Sequence, residues 1–428
     1  MTPRETIIKN YVDFFNAGSK HPTDLKYGVE AEHFVIDKNT KKAIPYLGEN
    51  GVCQLLSELK PHFVGEYLVD GSLLGLYSDE AEISLEPGSQ LEISITASDD
   101  IAAIAAIYQK YHDIITTILA GRDQELVTIG YQPATLVRDI TLLPRKRYTF
   151  MDDHFKKTGD RGINMMRGTA SCQVVIDYTD EKDFISKFQN ACLLTPLFAL
   201  ISSNTPMYEG KPNANPLIRT EIWRGVDPAR CGIPPVTFEP DFSFAKYAEY
   251  IIGQAAIFEV IKDNSPNENK SSNIGNCIIK NNPSKQSDRL VADVLTQNPV
   301  WDDDYLLYLS LVFPDVRLRQ YIEIRVADSM PAARTFAYMA LIKGLFLDMP
   351  SLNQWLSKFP HNIKAIKDAE NAIMDKGIEA IVYGEPVADL LKQMLELSSK
   401  SLNPAEKTIL KHSLFHLSHD KTSPNRHG

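Results

Sequence analysis

The chain has 428 residues, 43% of them hydrophobic and 23% charged, with a formal net charge of -10. That length and apolar content suffice for one large core or two smaller ones, and exclude a fibrous or intrinsically disordered chain. The acidic balance excludes a general nucleic-acid or anionic-membrane binder, because both partners reward a basic surface; a phosphate ligand here needs local arginines or metal ions held by carboxylates.

In chain order, Ile7, Ile8, Tyr11, Phe14 and Phe15 recur at helical spacing and predict an amphipathic helix over 4–16. Residues 27–36 read as a strand with Glu30 and Glu32 on one face and Val29 and Ala31 on the other. Between residues 80 and 96, Pro87 and Gly88 interrupt two extended runs. Gln90, Glu92 and Ser94 then alternate with Leu91, Ile93 and Ile95, and Glu86 stands just before the break. From Asp99 the period turns helical, with an aspartate cap and a stop at Gly121. A strand over 126–132 ends at Pro133, and a basic turn follows over 144–148.

Residues 169–178 read as a buried strand on which Gln173, Val175 and Asp177 share a face. An internal helix over 181–203, with Pro196 as a kink point, leads to a loop over 204–235 that carries Arg219, Trp223, Arg224 and Arg230. Loops of that length in a compact protein carry function or are disordered, and the arginines favour function. Residues 263–290 are the linker candidate. The strand over 321–328 places Tyr321, Glu323, Arg325 and Ala327 on one face; alone, its Glu/Arg neighbours are an ordinary surface pair. Pro331 heads a mostly apolar helix, residues 351–417 read as three or four helices, and the last ten residues as a frayed tail. The domain reading is therefore 1–350 as the main unit, 351–417 as a helical flank and 418–428 as a disordered tail.

The five cysteines are scattered without zinc-like or framework spacing, which suits a reducing compartment. The first residues lack a signal-peptide layout and no run of about 20 apolar residues is present, so the expected location is the cytoplasm. A Walker-type phosphate loop, a G-x-G-x-x-G after a strand, an H-E-x-x-H and a G-x-S-x-G are all missing from the sequence. What remains is a set of strand carboxylates opposite their own apolar faces. If those strands share one sheet, the carboxylates gather on one surface, and hard oxygen ligands of this kind select Mg²⁺ or Mn²⁺ carrying a nucleotide phosphate.

Six segments in the same order, residues 27–32, 84–92, 144–148, 169–174, 209–213 and 317–328, resemble glutamate–cysteine ligase of the plant and proteobacterial type. The resemblance covers roughly residues 25–350. It implies an α+β fold like the catalytic domain of glutamine synthetase, a curved antiparallel sheet forming a funnel backed by helices. It implies ATP-dependent joining of the γ-carboxylate of L-glutamate to the amine of L-cysteine through γ-glutamyl phosphate, a step towards glutathione. Carried over, Glu30, Glu32, Glu86, Glu92 and Glu323 resemble metal ligands, and Glu323 and Arg325 the catalytic pair. Arg219, Trp223, Arg224, Tyr148 and Gln173 resemble substrate-binding residues, with Gln173 a polar neighbour of the carboxylates. Arg325 and Arg147 fall to the nucleotide.

The partners so implied are glutamate, cysteine and ATP, with neither nucleic acid nor membrane, in a monomer or homodimer. Ser89 departs from the family where a second glycine is usual, and Glu221 stands where plant members show histidine. Glu221 therefore opens an alternative, a ligase using glutamate with a different acceptor amine; a non-catalytic sensor on the same fold is the third reading. The plant enzyme's regulatory cysteine pairs have no evident counterpart.

Overall fold

The computed structural model describes residues 1–69, 71–262, 277–280, 289–297 and 304–414. Most of the linker candidate, 263–276 and 281–288, and the whole tail 418–428 lie outside the described residues.

Nine strands build the main sheet: β1 (Tyr27–Asp37), β2 (Gly65–Val69), β3 (Ser72–Tyr77), β4 (Ala81–Leu85), β5 (Leu91–Ser98), β6 (Gln124–Val127), β7 (Ser171–Ile176), β8 (Val316–Leu318) and β9 (Ile322–Asp328). Their order is β8-β9-β7-β1-β5-β4-β3-β2, with β6 against the end of β1, and these ladders are antiparallel. Register shifts interrupt the β1/β5, β2/β3 and β9/β7 ladders, with the extra residue on β5, β3 and β9 respectively. The α+β architecture expected from the sequence, an antiparallel sheet backed by helices, is what the chain forms.

One face of the sheet is apolar. Val29, Ala31, Ile93, Val174 and Ile324 are buried there, under the helices Ile101–Ala120, Glu181–Ile201 and Ala332–Leu347. Asp100 caps the first of these by accepting from the amides of Ala102 and Ala103, one residue beyond the aspartate at which the period changes. The Glu181–Ile201 helix passes a length-and-composition test for a bilayer-crossing helix, though its first half carries Glu181, Lys182, Asp183 and Lys187. In the fold it is a core helix, with Phe184, Phe188, Leu193, Leu194 and Phe198 fully buried. Pro196 lies inside this helix, which continues through it to Ile201.

Other expectations need adjustment. The strand over 126–132 is the shorter β6. The basic turn is a helix start, with Arg145 capping the helix Lys146–Thr158. The loop over 204–235 contains a short helix, Ile218–Arg224. Ser89 has φ of 69°, the left-handed region that glycine occupies without a Cβ penalty, which is the physical reason a glycine suits this turn.

Beyond residue 348 come four helices, Met349–Leu356, Ile363–Lys376, Val387–Ser401 and Pro404–Leu414. They share one hydrophobic core with the sheet and pack on the Ala332–Leu347 and Glu181–Ile201 helices. A buried ion pair, Lys343 to Glu406 at 2.5 Å, ties the final helix down. Gly344 lets Val387–Ser401 approach closely, because a Cβ there would overlap the backbone and hydroxyl of Ser398. Gly344→Ala is expected to cost about 1–3 kcal/mol through overpacking, seen as a lowered melting temperature in thermal unfolding. An unchanged melting temperature would show that this helix pair is loosely seated.

Candidate functional site

The second face of the sheet is polar, and register decides what meets on it. Glu30 lies opposite Ser94 on β5 and Gln173 on β7, while Glu32 lies opposite Glu92. Ser84 on β4 lies opposite Glu92, and its hydroxyl donates to that carboxylate at 3.0 Å. Glu86 follows at the end of β4, in the turn that Pro87 and Gly88 make. Four glutamates expected to gather on one surface thus share a face across two neighbouring strands and the turn.

Their environments differ. Glu32 is buried, and its two oxygens accept from the Ser171 amide at 2.7 Å and hydroxyl at 2.6 Å. Glu30, Glu86 and Glu92 have no ion-pair partner within 4.0 Å among the described residues. Burial in the protein, reinforced by Glu323, pushes the Glu30 carboxyl up to about 7. Burial together with Glu32 does the same for Glu86. Glu92 is raised well above the usual carboxylate range by burial and by the neighbouring Glu30, Glu86 and Glu32.

On the other side of β7 the sign of the problem reverses. Glu323 is 1% exposed, and burial opposes its charge. Yet Arg317, Arg325 and Arg319 hold its carboxyl well below the usual range. Arg317 grips it with two parallel bonds, Nε to Oε2 at 2.6 Å and Nη2 to Oε1 at 3.0 Å, and Arg325 Nη1 adds a third at 3.1 Å. Arg325 also donates to Gln173 Oε1, and Gln173 Nε2 reaches Glu32 at 3.4 Å. A continuous polar chain therefore runs Glu32–Gln173–Arg325–Glu323–Arg317 across β1, β7, β9 and β8. Glu323, expected among the metal ligands, has both oxygens engaged by guanidinium groups.

The strand over 321–328 carries a bulge that the sequence did not disclose. Ile324 pairs with Val174, but Ala327 pairs with Cys172. Three steps on β9 thus match two on β7, which turns Ala327 to the apolar side and Asp328 to the polar side. Asp328 accepts from the Asn204 amide at 2.7 Å and the Thr205 hydroxyl at 2.9 Å, holding the start of the loop that carries Arg219.

That loop closes a cleft lined by Arg219, Trp223, Phe313, Asp315, Arg325 and Val326. Arg219 and Trp223 stand one turn apart on the short helix, so they share its face, and the guanidinium lies over the indole at 5.5 Å. Arg219 Nε and Nη1 and Trp223 Nε1 are buried without a hydrogen-bond partner. Donors left so are costly, and a carboxylate is the group that satisfies them. Arg224 turns away from the cleft: it pairs with Glu370 and donates to Asn371 Oδ1 at 2.8 Å, both on the Ile363–Lys376 helix. Arg147 is held by Ser310, through the hydroxyl at 2.7 Å and the carbonyl at 2.9 Å. Tyr148 donates to the Leu85 carbonyl at 3.3 Å, and burial beside Glu86 pushes its phenol up to about 12. Glu221 accepts from Asn215 Nδ2 at 2.7 Å and pairs with Arg161 at 3.4 Å, so its charge is offset locally.

Sequence reasoning assigned no role to Arg317, Arg319, Asp315 and Asp328. The alternation Val316-Arg317-Leu318-Arg319 carried the signal for the first two, because a strand puts both arginines on one face. Among the described residues no group of three His, Cys, Asp or Glu side chains is gathered closely enough to hold one metal ion. The row of Glu30, Glu86 and Glu92, acceptor-only groups with no cationic partner, still has the donor chemistry of a hard divalent cation that keeps other ligands for phosphate and water.

A family model described as glutamate–cysteine ligase family 2 matches residues 26–358. A chloroplastic glutamate–cysteine ligase of Arabidopsis thaliana is 28% identical over 345 residues, 80% of this chain and 63% of that protein. Chloroplastic glutamate–cysteine ligase A of Oryza sativa subsp. indica is 27% identical over 398 residues, 92% of this chain and 78% of that protein. The chain thus spans less than two thirds of the Arabidopsis relative. Among solved structures, a Francisella tularensis glutamate–cysteine ligase in complex with AMP is similar with a TM-score of 0.48 and 12% identity, covering 93% of this chain and 82% of that one.

The buried Glu323 cluster yields a stability test. Arg317→Met is expected to cost about 3–5 kcal/mol, because it strips the bidentate partner from a buried carboxylate. The double variant Arg317→Met/Glu323→Leu should recover much of that loss. Urea unfolding at neutral pH measures both, and an undiminished midpoint for Arg317→Met would show that Arg325 and Arg319 suffice.

Proposed function

The chain belongs to glutamate–cysteine ligase family 2, and from that premise we propose that it joins the γ-carboxylate of L-glutamate to the amine of L-cysteine, with ATP consumed to ADP and phosphate. The observation that carries the reading is the pair Arg219 and Trp223, whose buried donors have no partner in a cleft that also contains Arg325. These donors take the α-carboxylate of glutamate, where planar and fixed N–H groups match a carboxylate. The side-chain carboxylate then extends along the polar face.

In the first step an oxygen of the γ-carboxylate attacks the γ-phosphorus of ATP, the bond to the bridging oxygen breaks, and ADP leaves. In the second the cysteine amine attacks the acyl carbon, gives up a proton, and phosphate departs with the electron pair of its bond. The phosphoryl step matters because a carboxylate is a poor electrophile. Arg325 faces the charge that grows on the transferring group, and Glu323 with Gln173 fixes the guanidinium in place beforehand, so little reorganisation is needed. Glu30, Glu32, Glu86 and Glu92 would hold a bound Mg²⁺ or Mn²⁺, which would supply the charge neutralisation that the triphosphate needs. Arg147 and Tyr148 lie beyond Glu86, on the side where the nucleotide is placed in this reading. A cytoplasmic, reducing location belongs to the same proposal and fits the free thiols of Cys53, Cys172, Cys192 and Cys231.

A coupled ADP-release assay with glutamate and a panel of amines tests the reaction. Release with cysteine is expected. No release with any amine would sink the ligase reading, whereas release with another amine but not cysteine would change only the acceptor.

Metal binding has a pH signature with a defined sign. Glu30 and Glu86 titrate near about 7 in the free protein, so below that pH they hold protons that a cation must displace. Above it they are ionised and repel one another. Saturating Mg²⁺ should therefore raise the melting temperature more at about pH 8 than at about pH 6, and Glu92→Gln should shrink the increment. An increment that is larger at the lower pH would remove these carboxylates from the metal role.

A further inference from the structure

The cleft that recognises glutamate in this reading is built on a helix of seven residues, Ile218–Arg224, between two loops. So short a helix has little stability of its own, and its orientation depends on tertiary contacts. Its local attachments are Arg219 Nη2 to the Arg325 carbonyl at 3.3 Å, Glu221 to Asn215 and Arg161, the Arg161 amide to the Gly225 carbonyl at 3.0 Å, and the packing of Ile218, Ile222 and Trp223, the last against Phe313. Its other end is also held from beyond the sheet layer. Arg224 pairs through Nη2 with Glu370, donates through Nη1 to Asn371 at 2.8 Å, and touches the Met374 sulfur at 3.9 Å. All three partners lie on the Ile363–Lys376 helix, beyond residue 358, where the family match ends.

Glu370 is an unusual anchor. Its carboxylate is 4% exposed and stands on the buried side of its helix with Ile366, Ala369 and Ile373. Arg224 is its one ion-pair partner among the described residues. A buried carboxylate with a single partner fixes that partner's position, because separating them leaves a desolvated charge. The other anion near Arg224 is Asp315, which lines the cleft and lies within the fields of Arg224, Arg219 and Arg325. Removing Glu370 leaves Asp315 as the remaining anion in the field of Arg224, and the helix end that carries Trp223 loses its buried ion pair.

We propose that Glu370 is a positioning residue for substrate recognition: through Arg224 it sets the helix that presents Arg219 and Trp223, so that the C-terminal flank helps shape the amino-acid cleft. The assignment rests on the glutamate-recognition reading above. It predicts a specific kinetic split, because a displaced helix weakens binding of the amino acid without touching the phosphoryl-transfer groups.

The test compares wild type with Glu370→Gln, Glu370→Ala, Arg224→Ala and the double variant Glu370→Ala/Arg224→Ala in the ADP-release assay with glutamate and cysteine. For Glu370→Ala, the expected result is a rise of about tenfold in KM for glutamate, with kcat within about twofold and KM for ATP unchanged. Glu370→Gln, which keeps the shape and an acceptor, should fall between. The double variant should be no worse than either single one, since both break the same link. An unchanged KM for glutamate, or a fall in kcat that only tracks a lost folded fraction, overturns the role. If the Glu370 variants do not fold, Asn371→Ala, at an exposed position, takes their place: a rise of about threefold in KM for glutamate supports the link, and an unchanged KM overturns it. Hydrogen exchange over 218–224 provides an arm that needs no turnover. If wild type releases no ADP with any substrate, the ligase reading fails, and faster exchange there in Glu370→Gln still supports the anchoring, while unchanged exchange overturns it.

Discussion

The polar face depends on how one buried carboxylate is neutralised. Glu323 lies near the start of β9 with almost no exposure, and its charge survives there because Arg317 and Arg325 together place three N–H bonds on its two oxygens while Arg319 adds its field. The arrangement holds in both directions. The carboxylate keeps three like-charged guanidinium groups close together, and they keep the carboxylate ionised. Arg325 is thereby fixed between Glu323 and Gln173, which in turn reaches Glu32, so the acidic half of the face is mechanically joined to the basic half.

Across β7 the same face has the opposite deficit. Glu30, Glu86 and Glu92 are raised by burial and by neighbouring carboxylates, Glu323 for the first, Glu32 for the second and Glu30 for the third, with no arginine in contact. One sheet surface thus pushes carboxyl groups apart in proton affinity, upwards for Glu30, Glu86 and Glu92 and downwards for Glu323, a separation that acid–base and cation-binding sites use and that a purely structural sheet has little cause to keep. The strands themselves need no such polarity: their apolar side, under three helices, supplies the burial that holds the sheet together.

What was legible in the sequence follows from which properties are local. Alternation along a strand is local, so the shared face of Glu30 and Glu32, and of Gln90, Glu92 and Ser94, could be read from residue order alone. Whether those faces meet depends on register, which is set by partners far along the chain. The bulge in β9 is the clearest case: nothing between Ile324 and Asp328 announces an extra residue, yet the pairing with Cys172 and Ser171 reverses Ala327 and Asp328. The short helix within residues 204–235 was hidden for a related reason. Seven residues lack the span for a periodic signal, and this helix owes its place to contacts, not to propensity. Arg317 and Arg319 were visible as an alternating pair, but their role required knowing that a glutamate on the neighbouring strand would be buried between them.

The hardest residue to place from sequence was Arg224, and the reason bears on how the protein is divided. Counted with Arg219 and Trp223, it looked like a third substrate contact; its partner lies 146 residues further on. The family model's match ends at residue 358, but the physical unit does not end there. The core runs without a break from the sheet through the Ala332–Leu347 helix into the last four helices. An ion pair made by one of those helices reaches back to the element that lines the cleft. Because buried charge tolerates few positions, such a link transmits geometry more stringently than apolar contact does, and the C-terminal flank is therefore better regarded as a support for the helix that lines the cleft than as an appendage to the sheet.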